Sequence, residues 1–480
     1  METVTVSTDR HATQTIARVR EFPALVVVWS RDEPERIGEV LLPDPQLEPK
    51  SGWVFGRGPG GDERLALIRQ RPGNNLVGGP LTSSRISRVQ LRIRAGAADS
   101  LTIENLGRRT LEIDGRVAKR PTPVRAGAVV ELRGELLLLV AQRPAELAAI
   151  DLPSELLPSF GRADAFGMVG ESPPAWNLRG QIWFAAQRDV HVLVGGPSGV
   201  GKELVAQAVH ALSERRGHAL VSRNAATFPD GLIDAELFGN IRDYPNPGMP
   251  ARAGLIGAAD NSSLFLDEIG ELSHELQAHL LRVLDSGEYQ RLGDARAQRA
   301  DLRLIAATNR RFEQLKHDLA ARFRLQIEVP GLPERREDIA LLVVELLRRV
   351  ASNDPSAAQK LFDQGDPAHA WPAIEAATIR ELLGRSYHTH VRELDGLLWT
   401  ALMRSVVEGR SALQLDPRAD AEPAPRPEVE PASLTTEQIS AALEQAGGVQ
   451  DRAWRLLGLR NRFQLMRLLK KHQLDKRVPP

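Results

Sequence analysis

Cysteine is absent from the 480 residues, which excludes disulfide bonds and metal sites with cysteine ligands. The absence of cysteine also suits a reducing compartment, so we expect a cytoplasmic protein. The sequence has neither an apolar run long enough to span a bilayer nor the pattern of a signal peptide at its amino terminus. We therefore expect no association with a membrane.

An excess of charge of either sign is also missing, because 62 basic residues balance 62 acidic residues. The net charge therefore indicates no partner, and only the distribution of charge along the chain can do so. The length is typical of about two to four domains, each able to bury a core of its own.

A glycine-rich turn follows the apolar run Val192–Val194 and precedes a helix-like run at 204–212. Glycines in such a turn let successive backbone N–H groups point at an anion, and a lysine adds charge for the terminal phosphates. The same spacing can arise by chance in a glycine-rich turn, so its strand context matters. The predicted ATP contacts are Gly196, Ser198, Gly199, Gly201, Lys202 and Glu203.

A second motif is the hydrophobic run Leu264–Leu266, which ends in two acids. Asp267 is predicted to hold Mg²⁺ through water, and Glu268 to polarise the water that attacks ATP. A third strand-like run ends at Asn309. An ordinary strand can run into an acidic turn, but the three features together predict a nucleotide-binding α/β core with ATP and Mg²⁺ as cofactors.

The segment from about Leu25 to Arg143 contains short apolar runs separated by Gly, Pro, Asn and Asp turns, which is typical of an all-β sandwich. Its landmarks Gly56–Arg57, Ile86–Arg88, Glu104–Gly107 and Asp114–Gly115 resemble those of forkhead-associated (FHA) domains, which read phosphothreonine. The resemblance implies that Arg57, Ser87 and Arg88 contact phosphate.

Two positions depart from the FHA pattern. Gln90 stands where a structural histidine is usual, and Arg108–Arg109 replaces the Asn-Gly turn that holds the bound peptide. Two interpretations of the sandwich therefore stay open: a phosphothreonine-binding module, or a sandwich that serves protein contacts only.

The carboxyl-terminal part begins with an acidic and proline-rich linker, Asp416–Pro431, and continues with apolar residues at helical spacing from Thr435 to Asp475. Glycine breaks and an excess of basic residues indicate a helix-turn-helix that binds double-stranded DNA, with a solvated basic hairpin as the alternative. We predict base-edge contacts from Arg460, Asn461, Arg462 and Gln464, and phosphate contacts from Lys470 and Lys471.

From about Gly167 to Leu474 the chain resembles the bacterial enhancer-binding proteins, the AAA+ activators of sigma-54 RNA polymerase. The resemblance is carried by GGPSGVGKELVAQAVH, AELFG, SLFLDEIGEL, LRLIAATNR, PERREDI and VRELDGLL, and by a tail similar to a Fis-type helix-turn-helix. A glutamate at the position of Glu203 is normal in that family. The resemblance implies that Asn309 and Arg392 are the two sensor residues, and that Arg322 is an arginine finger acting on a neighbouring subunit of a hexameric ring.

Two departures from this family concern function. The loop that grips the sigma factor carries GAFTGA in the family, whereas Asp243–Gly248 keeps its length but none of its residues in place. Pro245 and Pro247 restrict its backbone and remove N–H donors. Lys316 also stands where the family has a further arginine, and lysine lacks the planar fork of a guanidinium.

The predicted organisation comprises five segments: an FHA-like sandwich at 22–145, an AAA+ domain at 166–348, a helical lid at 349–412, a linker at 413–433 and a helix-turn-helix at 434–476. Residues 372–409 are expected to be helical throughout. The first functional hypothesis is an ATP-hydrolysing regulator of the sigma-54 activator type with phosphothreonine sensing. The second is a sigma-54-independent DNA-binding regulator or repressor that uses ATP only for assembly, and the third is a P-loop ATPase that acts on other proteins.

Overall fold

The computed structural model describes residues 20–408 except 60, 62, 98, 228–231, 311, 313–314, 316, 363–365 and 367–369, together with Leu413, Leu415, Thr436, Ile439, Ala442, Leu457 and Leu469. The chain divides into two units, Met1–Leu415 and Asp416–Pro480. In the second unit, Ile439, Ala442 and Leu469 are helical and buried. No helix among the described residues is long and apolar enough to cross a bilayer.

The amino-terminal part of the first unit is built from strands, as the turn-rich sequence predicts. Its twelve strands are β1 (Glu21–Ser30), β2 (Val40–Leu41), β3 (Trp53–Phe55), β4 (Ile68–Arg71), β5 (Asn74–Val77), β6 (Leu91–Ala95), β7 (Ser100–Asn105), β8 (Leu111–Ile113), β9 (Arg116–Val117), β10 (Thr122–Arg125), β11 (Val129–Leu132) and β12 (Leu136–Pro144). They form an eight-stranded sheet, in the order β5-β4-β2-β1-β12-β11-β8-β9, and a four-stranded sheet, in the order β10-β7-β6-β3.

The remainder of the first unit alternates helices and strands. Its helices are α1 (Pro173–Ala186), α2 (Lys202–Ala211), α3 (Ile233–Phe238), α4 (Gly254–Ala258), α5 (His274–Ser286), α6 (His317–Ala320), α7 (Ile339–Asn353), α8 (Pro355–Phe362), α9 (Ala376–Leu383) and α10 (His390–Val407). Its strands are β13 (Val192–Gly195), β14 (Val221–Asn224), β15 (Ser263–Asp267), β16 (Glu288–Gln290), β17 (Ala297–Arg299), β18 (Arg303–Thr308) and β19 (Leu325–Glu328).

Five of these strands form a parallel sheet in the order β14-β15-β18-β13-β19, with β13 near its centre. The side chains of β13 and β15 alternate between two buried cores: Val192, Val194 and Phe265 pack on one face, and Leu193 and Leu264 pack on the other. Burial of both faces explains why these strands read as continuous apolar runs. The carboxyl ends of all five strands lie at one edge of the sheet, where the predicted catalytic residues follow them.

The expectation of continuous helix over 372–409 is wrong, because α9 ends at Leu383 and α10 begins at His390. Gly384 follows α9 directly, and glycine is a poor helix former. The Glu393 carboxylate accepts the backbone N–H groups of His388 and Thr389 and so caps the start of α10. The break allows α10 to approach the glycine-rich turn.

The sandwich packs directly on the helical part of the first unit. Strand β12 presents Leu136 and Leu138 to the sandwich core, whereas Leu137 and Leu139 join the core around α7. The Arg143 guanidinium, only 1% exposed, forms two 3.2 Å contacts with the Glu337 carboxylate just before α7. The interface therefore combines apolar packing with a buried ion pair.

Candidate functional site

The glycine-rich turn lies between β13 and α2, at the carboxyl edge of the parallel sheet. Gly196, Gly199 and Gly201 all have positive φ angles of 141°, 79° and 105°, which residues with a Cβ atom adopt only with strain. A Cβ atom on Gly199 would also lie 2.2 Å from the Thr389 carbonyl oxygen. These conformations curl the backbone around the amino terminus of α2, where an anion is favoured.

Lys202 begins α2, and its ammonium group turns back over the loop. Its Nζ donates hydrogen bonds to the carbonyl oxygens of Gly196 and Pro197 at 2.9 and 3.2 Å, and lies 3.9 Å from Glu268 Oε1. Burial lowers the pKa of Lys202, although the neighbouring carboxylates act in the opposite direction. The lysine is thus a partly desolvated cation next to the predicted catalytic carboxylate.

The two acids of the second motif occupy different positions. Asp267 ends β15, and its carboxylate accepts the N–H of Glu268 at 2.9 Å and the side-chain amide of Asn224 at 3.4 Å. Glu268 has a φ of 53° and accepts the backbone N–H of Asn309 at 3.2 Å. Parallel strands β15 and β18 therefore bring these acids together with Asn309.

Arg392 approaches the same loop from the first turn of α10. Its Nη1 donates to Ser198 Oγ at 3.1 Å, and the N–H of Val391 donates to the Gly199 carbonyl at 3.2 Å. Helix α10 therefore contacts the glycine-rich loop directly. The positive charge of Arg392 also contributes to lowering the pKa of Lys202.

Two other predicted residues lie outside this cluster. Glu203 is exposed on α2 and accepts a 3.3 Å hydrogen bond from Gln207. Arg322 follows α6, and its guanidinium forms an exposed ion pair with Asp285. That carboxylate raises the pKa of Arg322. Its exposed position is compatible with action on another subunit.

A cavity of about 90 Å³ next to the loop was not identified from the sequence. Met168, Val169, Leu346 and Val391 contribute apolar wall to it, together with the backbone of the loop. A buried arginine, Arg335, supports the loop from behind by donating to the Val200 carbonyl at 3.3 Å. The apolar residues just before α1 were the only sequence signal for this wall.

These groups fit a magnesium nucleotide. The curled backbone and Lys202 suit phosphates, the apolar cavity suits a flat base, and the Asp267 carboxylate is the hard oxygen donor that Mg²⁺ prefers. The ion would neutralise phosphate charge and orient the phosphates. The ammonium of Lys202 and the loop N–H groups can bind phosphates, and the Glu268 carboxylate can accept a hydrogen bond from water, with Asn309 and Arg392 next to them.

The loop Asp243–Gly248 is tied to its surroundings. The Asn240 side-chain amide donates to the carbonyl oxygens of Ile241, Tyr244 and Pro250 at 2.8, 3.3 and 3.0 Å. The ring of Tyr244 lies against Gly293, where a Cβ atom would come within 2.6 Å of it. The base of the loop is therefore fixed by hydrogen bonds and packing.

The sandwich brings Arg57, Ser87 and Arg88 together at the ends of neighbouring strands. The Arg57 N–H donates to the Ser87 carbonyl at 3.1 Å, and the Arg64 guanidinium donates to the carbonyl oxygens of Arg57 and Arg88. A Cβ atom on Gly56 would lie 2.4 Å from the Ser87 carbonyl oxygen. The three predicted phosphate contacts thus share one backbone framework.

Gln90 holds this framework from inside. Its Oε1 accepts the Ser87 N–H at 3.1 Å, and its Nε2 donates to Asn105 Oδ1 at 2.8 Å and to the Arg109 carbonyl at 3.2 Å. The residue is fully buried beneath Gly107. Gln90 therefore links the two loops that border the predicted phosphate site, a role not evident from the sequence.

The predicted DNA contacts lie outside the described residues. They are Arg460, Asn461, Arg462, Gln464, Lys470 and Lys471. Lys316, which stands where the enhancer-binding proteins have an arginine, also lies outside the described residues.

Comparison with protein families identifies a Sigma-54 interaction domain at residues 168–328, the segment that contains the nucleotide-site cluster up to Asn309. The crystal structure of NtrX from Brucella abortus in complex with ADP is 26% identical to this chain. It covers 64% of this chain and 69% of NtrX, with a TM-score of 0.46.

Two groups of relatives share more of the sequence. The Nif-specific regulatory protein of Klebsiella pneumoniae is 36% identical over 342 residues, which are 66% of this chain and 61% of that protein. The transcriptional regulatory protein ZraR of Salmonella typhi is 35% identical over 330 residues, which are 65% of this chain and 70% of ZraR. The chain thus spans about three fifths of the Nif regulator. The chain belongs to the family of sigma-54-dependent transcriptional regulators, whose core is an AAA+ P-loop ATPase domain.

Proposed function

We propose that this chain is a DNA-binding transcription regulator that binds and hydrolyses ATP and whose amino-terminal sandwich reads phosphothreonine. The observation that carries the proposal is the cluster of Lys202, Asp267, Glu268, Asn309 and Arg392 around one glycine-rich loop. Family membership and the geometry of the loop both favour ATP as the nucleotide.

Hydrolysis follows from the roles of the clustered side chains. Lys202 and the loop N–H groups bind the terminal phosphates, while Glu268 orients and polarises the attacking water. Asn309 donates its backbone N–H to the Glu268 carboxylate and so links the end of strand β18 to the proposed catalytic base, Glu268. Arg392 joins the lid to the phosphate loop, so that nucleotide binding and lid position depend on one another.

Arg322 provides the argument for assembly. Its exposed guanidinium pairs with Asp285, not with the residues around Lys202. An arginine in this position can complete the nucleotide site of a neighbouring copy, in which case turnover requires an oligomer, a hexameric ring by family resemblance.

Engagement of sigma-54 polymerase and use of ATP for assembly alone are the two mechanisms to be separated. Asn240 and Tyr244 fix the base of the Asp243–Gly248 loop, and this observation favours a regulator that does not remodel sigma-54 polymerase. Double-stranded DNA is the proposed target of the carboxyl-terminal segment in both cases.

Turnover measured against protein concentration tests the enzymatic proposal. ATP hydrolysis per subunit should rise with concentration, and Glu268→Gln should stop hydrolysis while ATP still binds. Activity that is independent of concentration would contradict hydrolysis in trans. An open-complex assay with sigma-54 holoenzyme then separates the two mechanisms: robust activation would contradict the second, whereas oligomers that assemble on ATP and form no open complexes would support it.

A further inference from the structure

The turn 106–109 lies directly on the proposed phosphate site. The Arg108 N–H donates to Ser87 Oγ at 3.0 Å, and the turn is held in place by the N–H groups of Leu106 and Gly107, which donate to the Gln90 carbonyl. The Arg108 side chain is exposed. A peptide whose phosphate reaches Ser87 must therefore pass next to the backbone of Arg108, within reach of its exposed side chain.

The arginines around this surface fall into two groups. Arg85 and Arg109 are paired with carboxylates: Arg109 lies 3.0 Å from Glu135, and Arg85 lies 3.3 Å from Asp32. By contrast, Arg57, Arg64, Arg88 and Arg108 have no carboxylate within ion-pair distance in the part of the sandwich that the structure describes. The Nε atom of Arg57 is buried without a hydrogen-bond partner.

The four guanidinium groups without a carboxylate partner exceed the charge of one phosphate. A phosphothreonine carries a charge of about −1.5 to −2 near neutral pH. The two positive charges of Arg57 and Arg88 balance that charge, while the Arg64 guanidinium is held by the carbonyl oxygens of both residues. Arg108 then remains as a cation that a single phosphate does not neutralise.

On the basis of the phosphothreonine binding proposed above, we propose that Arg108 makes this surface select peptides with a second negative charge near the phosphothreonine. The second charge is the carboxylate of an acidic residue or a second phosphate. An extended peptide advances about 3.3–3.6 Å per residue, so the reach of an arginine side chain places this charge within about three residues of the phosphothreonine. The guanidinium fork suits both anions because it donates two parallel hydrogen bonds.

Arg125 supplies a matched control for Arg108. It is also an exposed arginine of the sandwich, but it lies on β10 opposite Ser100, at the other end of β7 from the 106–109 turn. Replacement of either residue by glutamine removes one exposed positive charge. Only the Arg108 replacement removes it beside Ser87.

Fluorescence anisotropy with the full-length protein tests the proposal on four peptides of one backbone sequence: unphosphorylated, phosphothreonine with neutral flanks, phosphothreonine with a flanking glutamate, and doubly phosphorylated. For the wild type, the affinity ratio of the acidic-flank to the neutral-flank phosphopeptide should be about two- to fivefold at low salt and fall as salt rises. In Arg108→Gln this ratio should fall to about one, and in Arg125→Gln it should stay at the wild-type value. Arg108→Glu should instead favour a lysine flank.

The outcomes separate the inference from the function on which it rests. Equal affinity for all phosphopeptides, or a preference that survives Arg108→Gln, would overturn the role of Arg108 and leave phosphothreonine binding intact. No difference between phosphorylated and unphosphorylated peptides would overturn both. Circular dichroism of the variants should show an unchanged fold, since Arg108 is exposed.

Discussion

Arg143 of the sandwich and Glu337 of the ATPase core form a buried ion pair in which the two side chains are 1% and 8% exposed. Glu337 lies two residues after Arg335, whose guanidinium donates to the Val200 carbonyl in the phosphate-binding loop. The sandwich is therefore connected to the nucleotide site through a short buried segment. This connection gives the interface a measurable role in both stability and pH dependence.

Protonation of Glu337 should make stability depend on pH. Burial raises the pKa of Glu337 to about 7, although Arg143 acts in the opposite direction. The folded state then holds a proton that the unfolded state releases above about pH 4.5. The stabilisation is therefore fully present below that pH and is lost as the pH rises through about 7, by an amount on the order of 3 kcal/mol.

Denaturant unfolding at pH 5 and pH 8 measures this effect. Glu337→Gln, which cannot titrate, should show a smaller loss of stability between the two pH values than the wild type. The exposed Glu155→Gln serves as control and should keep the wild-type difference. An identical pH dependence in the wild type and Glu337→Gln would contradict the assignment.

Removal of Arg143 alone should destabilise the first unit. Its guanidinium also donates to Gln70 Oε1 and to the Glu171 carbonyl, at 3.1 and 3.2 Å. At pH 8, where Glu337 is ionised, Arg143→Ala leaves these acceptors and the buried Glu337 carboxylate without their partner, and we expect a loss of about 3–5 kcal/mol in the free energy of unfolding. The double variant Arg143→Met with Glu337→Leu should recover part of the lost free energy of unfolding. A double variant less stable than Arg143→Ala would argue against an ionic origin of the loss.

Gln90 should act as a positioning residue for phosphopeptide binding. Gln90→Ala leaves the Ser87 N–H and Asn105 Oδ1 without their partner, which costs roughly 1–3 kcal/mol and frees both loops. We expect lower affinity for a phosphothreonine peptide, with partial recovery in Gln90→His because imidazole can also donate and accept. Isothermal titration and thermal unfolding of both variants measure the two effects, and wild-type affinity in Gln90→Ala would refute the role.

Arg322 should be needed for turnover but not for nucleotide affinity. Its proposed target is a neighbouring subunit, and loss of an arginine finger lowers turnover by about 10³–10⁵. Asp285→Ala removes its present partner and should keep activity. Mixing Arg322→Ala with Glu268→Gln subunits should restore part of the turnover, because one supplies an intact base and the other an intact finger. Absence of recovery in mixed oligomers would count against action in trans.

The nucleotide-site elements could be predicted because each depends on local sequence. Glycine spacing identified the loop, and two apolar runs ending in acids or amides identified β15 and β18. Helix α2 begins at Lys202, two residues before the predicted run at 204. Gly201, with its positive φ angle, is the last residue of the turn, so the helix can start directly after it. Local pattern was sufficient here.

Features that depend on distant partners could not be predicted. The run Leu25–Val28 appeared as an ordinary strand, yet Leu25 and Val27 face the sandwich core while Val28 packs against the core around α7. The continuous apolar run indicated that both faces of this strand are buried. It did not indicate that the face away from the sandwich core packs against the core around α7. Arg335 acts on a loop far away in sequence, and its type alone revealed nothing. Gln90 was noted only as the replacement of a structural histidine, and its partners on two loops were not predicted.

Nucleotide binding by the full-length chain tests the central claim most directly. Titration of a fluorescent ATP analogue should show saturable binding that Glu268→Gln retains and Lys202→Ala loses, because Lys202 supplies a cation for the terminal phosphates whereas Glu268 acts on the attacking water. No binding by the wild type, or binding that is unchanged in Lys202→Ala, would contradict the account.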